Sequence, residues 1–292
     1  MTSVLGVFMA LIACHPREDI TGYAAVEKFP EDSLLQGITS KRALIIIAHD
    51  DDMCGMAGTI SKLNRDGWYI GVMSFSKTPE RDSAQIEACR SILDTVMFIK
   101  VTTDELRNDL GSAKTPYAAI PKSAFTSVFN YSLITPIYET MINEFNPSVV
   151  LTLDNEMGGY GHPEHVFVSQ LVVDMAASAT IHPKYIYQSV YTNHMENTIM
   201  RRHAEQMKSW GFPGDDWDIA KQTYGVDGMP EPNVQVFIET EAQLKMDYLR
   251  SYNERERKVM GFYIPEFERY DPVEYFSVFN REFFRVIAVE AK

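Results

Sequence analysis

Two short segments of this 292-residue chain hold residue types at spacings that can do chemistry. The first is His49-Asp50-Asp51-Asp52, directly after an apolar run at 43–48. Three adjacent carboxylates repel one another and raise each other's pKa unless a positive charge is near, and a divalent cation would supply one. His49 and Asp52, three apart across a strand-to-helix turn, can face one ion and leave Asp51 free to act as a base. The same residues would equally suit a solvated acidic turn capping the next helix. The second segment is Gly158-Gly159-Tyr160-Gly161-His162-Pro163-Glu164-His165. Its glycines let backbone approach a ligand closely, and Pro163 fits the first position of a helix, with His162 at the N-cap and His165 one turn on. If both segments follow strands of one sheet, His49, Asp52 and His165 can converge into a His2Asp set with an open fourth position. That is the ligand type and count of a catalytic zinc, although another divalent metal would fit the same donors.

The elements that must position these residues are legible as alternation. The run at 43–48 is continuously apolar and bounded by charge, as expected of a strand buried on both faces of a parallel sheet. Further strands are expected at 68–75, 96–101, 149–153, 185–191 and 234–238, with helices at 56–66, 80–93, up to about 145, 166–175 and 241–258. This spacing predicts an α/β fold with a Rossmann-like, doubly wound, mostly parallel sheet, whose ligands bind beyond the carboxyl ends of the strands. Residues 193–232 break the rhythm and read as a long loop excursion in the C-terminal half. Trp210, Trp217 and Tyr224 there are suited either to stacking on a ligand or to packing the loop.

The two segments resemble the signatures of the PIG-L/LmbE family of metal-dependent de-N-acetylases, AHPDDE after the first strand and a later GxHPDH. This chain has Ala48-His49-Asp50-Asp51-Asp52-Met53, then Gly55, Gly58 and Thr59, and Gly161-His162-Pro163-Glu164-His165. The resemblance covers roughly residues 42–190. It implies a single deacetylase domain at 41–292, with His49, Asp52 and His165 as metal ligands and Asp51 as general base. It also implies that His162 and Tyr160 assist the oxyanion or the leaving group, and that zinc activates the attacking water. Asp50 and Met53 depart from the family pattern, the first adding a charge beside the site, the second removing a carboxylate that could orient a ligand. The family often has an arginine where this chain has Ala84, and Arg81, one turn earlier, is the substitute expected to contact substrate.

Composition narrows the partners. With 27 Lys and Arg against 40 Asp and Glu the net charge is −13, so phosphate-tracking nucleic-acid binding is not expected. Cys14, Cys54 and Cys89 are too few for a disulfide framework, and Cys54 and Cys89 are read as small buried hydrophobes. The apolar run at 4–13 ends in Leu11-Ile12-Ala13-Cys14, which resembles a bacterial lipobox, so residues 1–14 are read as a signal peptide with Cys14 as the lipidation site. Residues 15–40 then read as a tether, and the protein as an exported envelope lipoprotein held to the membrane by its lipid alone; a cytoplasmic chain with a buried N-terminal segment is the other reading. The expected function is removal of acetyl from an N-acetylated amino sugar or glycoconjugate. The alternatives are an amidase on another acyl amine and a non-catalytic carbohydrate-binding relative of the enzyme. A nucleotide-binding domain is disfavoured, because no GxGxxG follows the first strand and three aspartates would repel a pyrophosphate. Nothing in the sequence reads out an oligomeric state.

Overall fold

The computed structural model describes residues 17–110 and 117–290. Seven strands form one sheet: β1 (Arg42–Ile46), β2 (Tyr69–Phe75), β3 (Thr95–Ile99), β4 (Val149–Leu153), β5 (Tyr185–Val190), β6 (Val234–Phe237) and β7 (Arg281–Ala288). Their order is β3-β2-β1-β4-β5-β7-β6. The first five are parallel, and β7 runs antiparallel between β5 and β6. The doubly wound α/β architecture expected from the alternation is the one observed.

Period-two alternation assigns the faces of β1. Ala43 and Ile45 belong to one core and Leu44 and Ile46 to the other, so both faces of the strand are covered. On the first face lie α1 (Ala57–Arg65), α2 (Pro79–Cys89) and a C-terminal pair, α7 (Ala242–Arg250) and α8 (Glu254–Tyr263); the second packs against α3 (Tyr131–Phe145) and α4 (Pro163–Ala177). The chain runs outward from β1 through β2 to β3, then returns to place β4 on the other side of β1. The carboxyl ends of β1 and β4 therefore flank the point where winding reverses, and both histidine-bearing segments leave the sheet there.

Three expectations are corrected. Residues 193–232 are not a loop excursion but carry α5 (Asn193–Ser209) and α6 (Asp216–Tyr224). Thr192 caps α5 by accepting from Met195 N, and the helix buries Met195, Ile199 and Met200, a stripe that its many charged residues hide in sequence. The single helix expected at 241–258 is two, because Asn253 accepts from the backbone N–H groups of Arg255 and Glu256 and starts a new helix. The stretch at 17–40, expected as a tether, lies along the domain: Ile20 is buried, Arg17 pairs with Glu274 at 2.5 Å, and Glu31 bridges to Gln235. Residues 1–16, and with them Cys14 and the leader expectation, lie outside the described residues.

Strand β7, for which no expectation was formed, fastens the site from a distance. Glu282 is buried and accepts from Gly58 N at 2.9 Å and Thr59 N at 2.6 Å, so a carboxylate sits on the N-terminus of α1. Lys245 completes the arrangement at 2.5 Å. A Cβ on Gly58 would lie 2.9 Å from Ile238 Cβ and 3.0 Å from Glu282 Oε1, which explains the glycine in the helix that follows the acidic segment.

Candidate active site

Asp52 opens a short helical turn after β1, and its Oδ2 accepts from the N–H groups of Ala48 (3.1 Å) and His49 (2.7 Å). This folds the segment back on itself and leaves Oδ1 facing the histidines. His165 reaches the same point from the first turn of α4, whose N-cap is His162 and whose first residue is Pro163, as the sequence predicts. His49 Nδ1 lies 2.9 Å from His165 Nε2, His165 Nε2 lies 3.0 Å from Asp52 Oδ1, and His49 Nδ1 lies 3.4 Å from Asp52 Oδ1. Donors at the ~2.0–2.1 Å bond lengths of a tetrahedral zinc sit about 3.3 Å apart, so this triangle fits one small divalent cation.

The partners on the far side of each ring agree. His165 Nδ1 donates to Gly158 O at 2.9 Å, and His49 Nε2 donates to Glu164 Oε2 at 3.0 Å. With the outer nitrogens donating in this way, the inner nitrogens are the ones that would offer a lone pair to a metal, His49 giving up its inner proton to the cation. Charge favours a cation as well. Burial would lower the His49 imidazole, but Asp52 and Glu164 outweigh it and push it up to about 10. Burial would raise the Asp52 carboxyl, yet His165 and His49 hold it well below the usual carboxylate range.

A second grouping, His49, His162 and His165, also has its ligand atoms within 4.8 Å of one another. Hydrogen bonding argues against His162 as a ligand. Its Nδ1 accepts from Glu164 N at 3.2 Å, so the proton is on Nε2, and burial with the neighbouring His165 and His49 holds the ring neutral. A neutral imidazole with a fixed Nε2–H is a hydrogen-bond donor beside the cluster. Asp51 is next to the triangle without belonging to it; burial, then Asp52 and Asp50, push it up to about 6, a range suited to a general base. Tyr160 stacks on Tyr263 with centroids 4.2 Å apart and meets His165 edge-on at 5.1 Å. Burial, Tyr263 and Asp52 hold its hydroxyl protonated and able to donate.

Arg81 is engaged differently from expectation. Its guanidinium pairs with Asp50 Oδ1, lies 3.4 Å from Asp51 Oδ1 and 3.8 Å from Glu256 Oε1. The charge of Asp50 is therefore matched within the fold, with the Arg81 guanidinium lying against carboxylates. Cys89 is buried as expected, whereas Cys54 is only partly buried and lines the cleft beside the cluster, its thiol pushed up to about 12 by burial and Asp51. Of the three aromatic candidates, Tyr224 donates to Gly161 O at 2.9 Å and Trp217 to Glu196 at 3.2 Å, both packing the region, while Trp210 is exposed.

Sequence reasoning missed the supports. Met53 removes one orienting carboxylate, but Glu164 supplies another by holding His49, and is itself braced by Lys77 at 3.3 Å and the buried Arg107 at 3.5 Å. Asp154, buried after β4, accepts from Glu156 N, Met157 N and Gly159 N at 3.0, 2.6 and 2.8 Å and so shapes the glycine loop. The only signal for it was an acid at a strand's carboxyl end.

A doubly wound sheet with a His-Asp-His triangle and a free aspartate at its switch point defines a candidate metal-assisted hydrolase site. Residues 44–176 match the family model described as PIG-L: GlcNAc-PI de-N-acetylase. Among curated proteins it is similar to 1D-myo-inositol 2-acetamido-2-deoxy-alpha-D-glucopyranoside deacetylase of Tsukamurella paurometabola, 31% identical over 140 residues, 46% of this chain and 36% of that protein. The protein of the same name from Rhodococcus jostii is 29% identical over 167 residues, covering 49% of this chain and 56% of the relative. The matches thus span about half the length of these relatives or less. Among solved structures, N,N'-diacetylchitobiose deacetylase from Pyrococcus horikoshii is similar over 88% of this chain and 89% of its own, with 16% identity and a TM-score of 0.45.

Proposed function

We propose that the protein is a metal-dependent N-deacetylase that hydrolyses the acetamide of an N-acetylated amino sugar or glycoconjugate. The observation that carries this reading is the triangle of His49, Asp52 and His165 with Asp51 beside it but outside it. The curated relatives, both named as deacetylases of an acetamido-glucopyranoside, support the reaction class and the sugar.

His49 Nδ1, Asp52 Oδ1 and His165 Nε2 would hold the metal, with zinc the ion that best suits two imidazoles and one carboxylate. Once bound, it supplies Lewis acidity, making water acidic near neutral pH and polarising the amide carbonyl. Asp51 then takes the proton of the attacking water on its carboxylate. The Nε2–H of His162 and the hydroxyl of Tyr160 are donors for the oxygen that gains charge. Amides leave poorly without protonation, so the proton must be passed to the nitrogen, from Asp51 or His162, before acetate and the free amine separate.

The test joins metal quantitation to acetate release over a panel of N-acetylated sugars. Asp51→Asn should keep about one metal per chain and lose about 10²–10⁴ in turnover, while His165→Ala should lose both. Turnover of Asp51→Asn at the parental rate would end the proposal. Lipidation at Cys14 is a separate part of the proposal, checked by incorporation of a labelled fatty acid that Cys14→Ala abolishes.

A further inference from the structure

The cleft beside the cluster offers about 70 Å³, several times the roughly 10–15 Å³ that one water-sized group needs, so it has room beyond the methyl of an acetyl group. Its walls away from the cluster are apolar: Leu153, Val190, Met229, Val259 and Met260. The tyrosines that close it add ring surface, and the Tyr191 hydroxyl is already committed to Tyr263 O at 2.7 Å. Beyond the cluster itself, side-chain hydrogen bonding is left to Ser189, the Cys54 thiol and the Tyr160 and Tyr263 hydroxyls. A sugar ring carries several hydroxyls, each of which loses free energy if buried without a partner. The polyol half of an N-acyl amino sugar therefore does not belong in this space, and the acyl half does.

The placement of the leaving-group donor agrees. His162 does not line the cleft; it faces the cluster from the side of the exposed Tyr117, with ring centroids 6.2 Å apart. Where His162 rather than Asp51 protonates the nitrogen, the sugar points that way and the acyl substituent points into the cleft. The apolar surface also leads outward. Val259 lines the cleft and is 36% exposed, and rings continue from Tyr263 through Phe262 (6.4 Å) to the exposed Trp210 (5.6 Å).

We propose that this cleft is an acyl pocket and that the enzyme accepts, besides the acetyl group, amino sugars carrying longer N-acyl chains. The proposal rests on the hydrolase reading above for its orientation. It is tested with metal-loaded protein and a series of N-acetyl-, N-butanoyl-, N-hexanoyl- and N-decanoyl-glucosamine, beside N-hexylacetamide, in which the apolar part is on the amine. Binding to the Asp51→Asn protein is followed by calorimetry, and amine release by the wild type gives kcat/KM.

Affinity and kcat/KM should rise along the acyl series, by up to about fourfold per methylene over the first few carbons. Val259→Asp should flatten the slope, bringing the hexanoyl-to-acetyl ratio close to one. A flat or falling series in the wild type overturns the proposal, and so does a gain for N-hexylacetamide without one for the acyl sugars. Tighter binding of longer chains with no hydrolysis of any would leave the acyl pocket standing and remove the hydrolase reading. Turnover of the acetyl sugar alone would do the reverse.

Discussion

Glu164 shows how far the chemistry of one residue extends through its neighbours. It fixes the tautomer of His49, and Lys77 and Arg107 fix it in turn. Glu164→Gln should therefore weaken metal binding by about 10–100-fold while leaving the fold intact, measured by competition with a chromophoric chelator. The raised His49 sets a pH dependence with a definite sign. Its pKa is about 10 in the folded protein and about 6.5 unfolded. The stability that it contributes is fully present below about 6.5 and is lost as pH rises through about 10. Metal-free protein should thus lose melting temperature across that window. Metal-loaded protein should lose less, because the cation takes the proton's place, and equal losses in the two forms would contradict the assignment. The proposed ligands were legible as candidates because each segment packs its chemistry-bearing residues into four to eight consecutive positions. Glu164, Lys77 and Arg107 were not, since their roles depend on pairing across 115, 87 and 57 positions that only the fold brings together.

At the scale of elements, the glycine loop is the part most exposed to mutation. Asp154 satisfies three backbone N–H groups there, and Asp154→Ala would leave buried donors without partners. A loss of about 1–3 kcal/mol in urea unfolding is expected, with weaker metal binding because Gly158 O no longer holds His165 in place. Gly161 has φ +102°, and a Cβ there would come within 2.4 Å of Ala220 Cβ on α6. Gly161→Ala should destabilise by a comparable amount through strain and overpacking together. The strands of the parallel half were readable because burial on both faces leaves uninterrupted apolar runs. Helix α5 was not, because Arg201, Arg202, Glu205 and Lys208 dilute its buried stripe. Strand β7 went unread for a related reason: Arg285 interrupts its apolar residues and pairs with Gln188 at 2.8 Å, a partner on a different strand.

For the whole molecule, net charge excluded polyanionic partners without pointing to a site, and only the fold separates ordinary surface acids from Asp50, Asp51 and Asp52 at the switch point. The fold also supplies the partners of Asp50. Arg81 on α2 and Tyr252, whose hydroxyl donates to Asp50 O at 2.6 Å, belong to parts of the chain far from it in sequence. Arg81→Leu should consequently be more damaging than an ordinary surface substitution. It strands a buried carboxylate, with a cost of about 3–5 kcal/mol for breaking a buried pair, read as a lower urea midpoint at unchanged m-value.

Glu282 has a consequence in time as well as in space. The residue that seats the N-terminus of α1, directly after the proposed metal-binding segment, is on β7, and that strand joins β5 to β6. A nascent chain whose parallel half has already left the ribosome still lacks this seat. The segment 49–52 can reach its final geometry only after β7 has been made, so a chain stopped before Arg281 should remain bound to chaperones and fail to retain metal, even though every proposed ligand has been made.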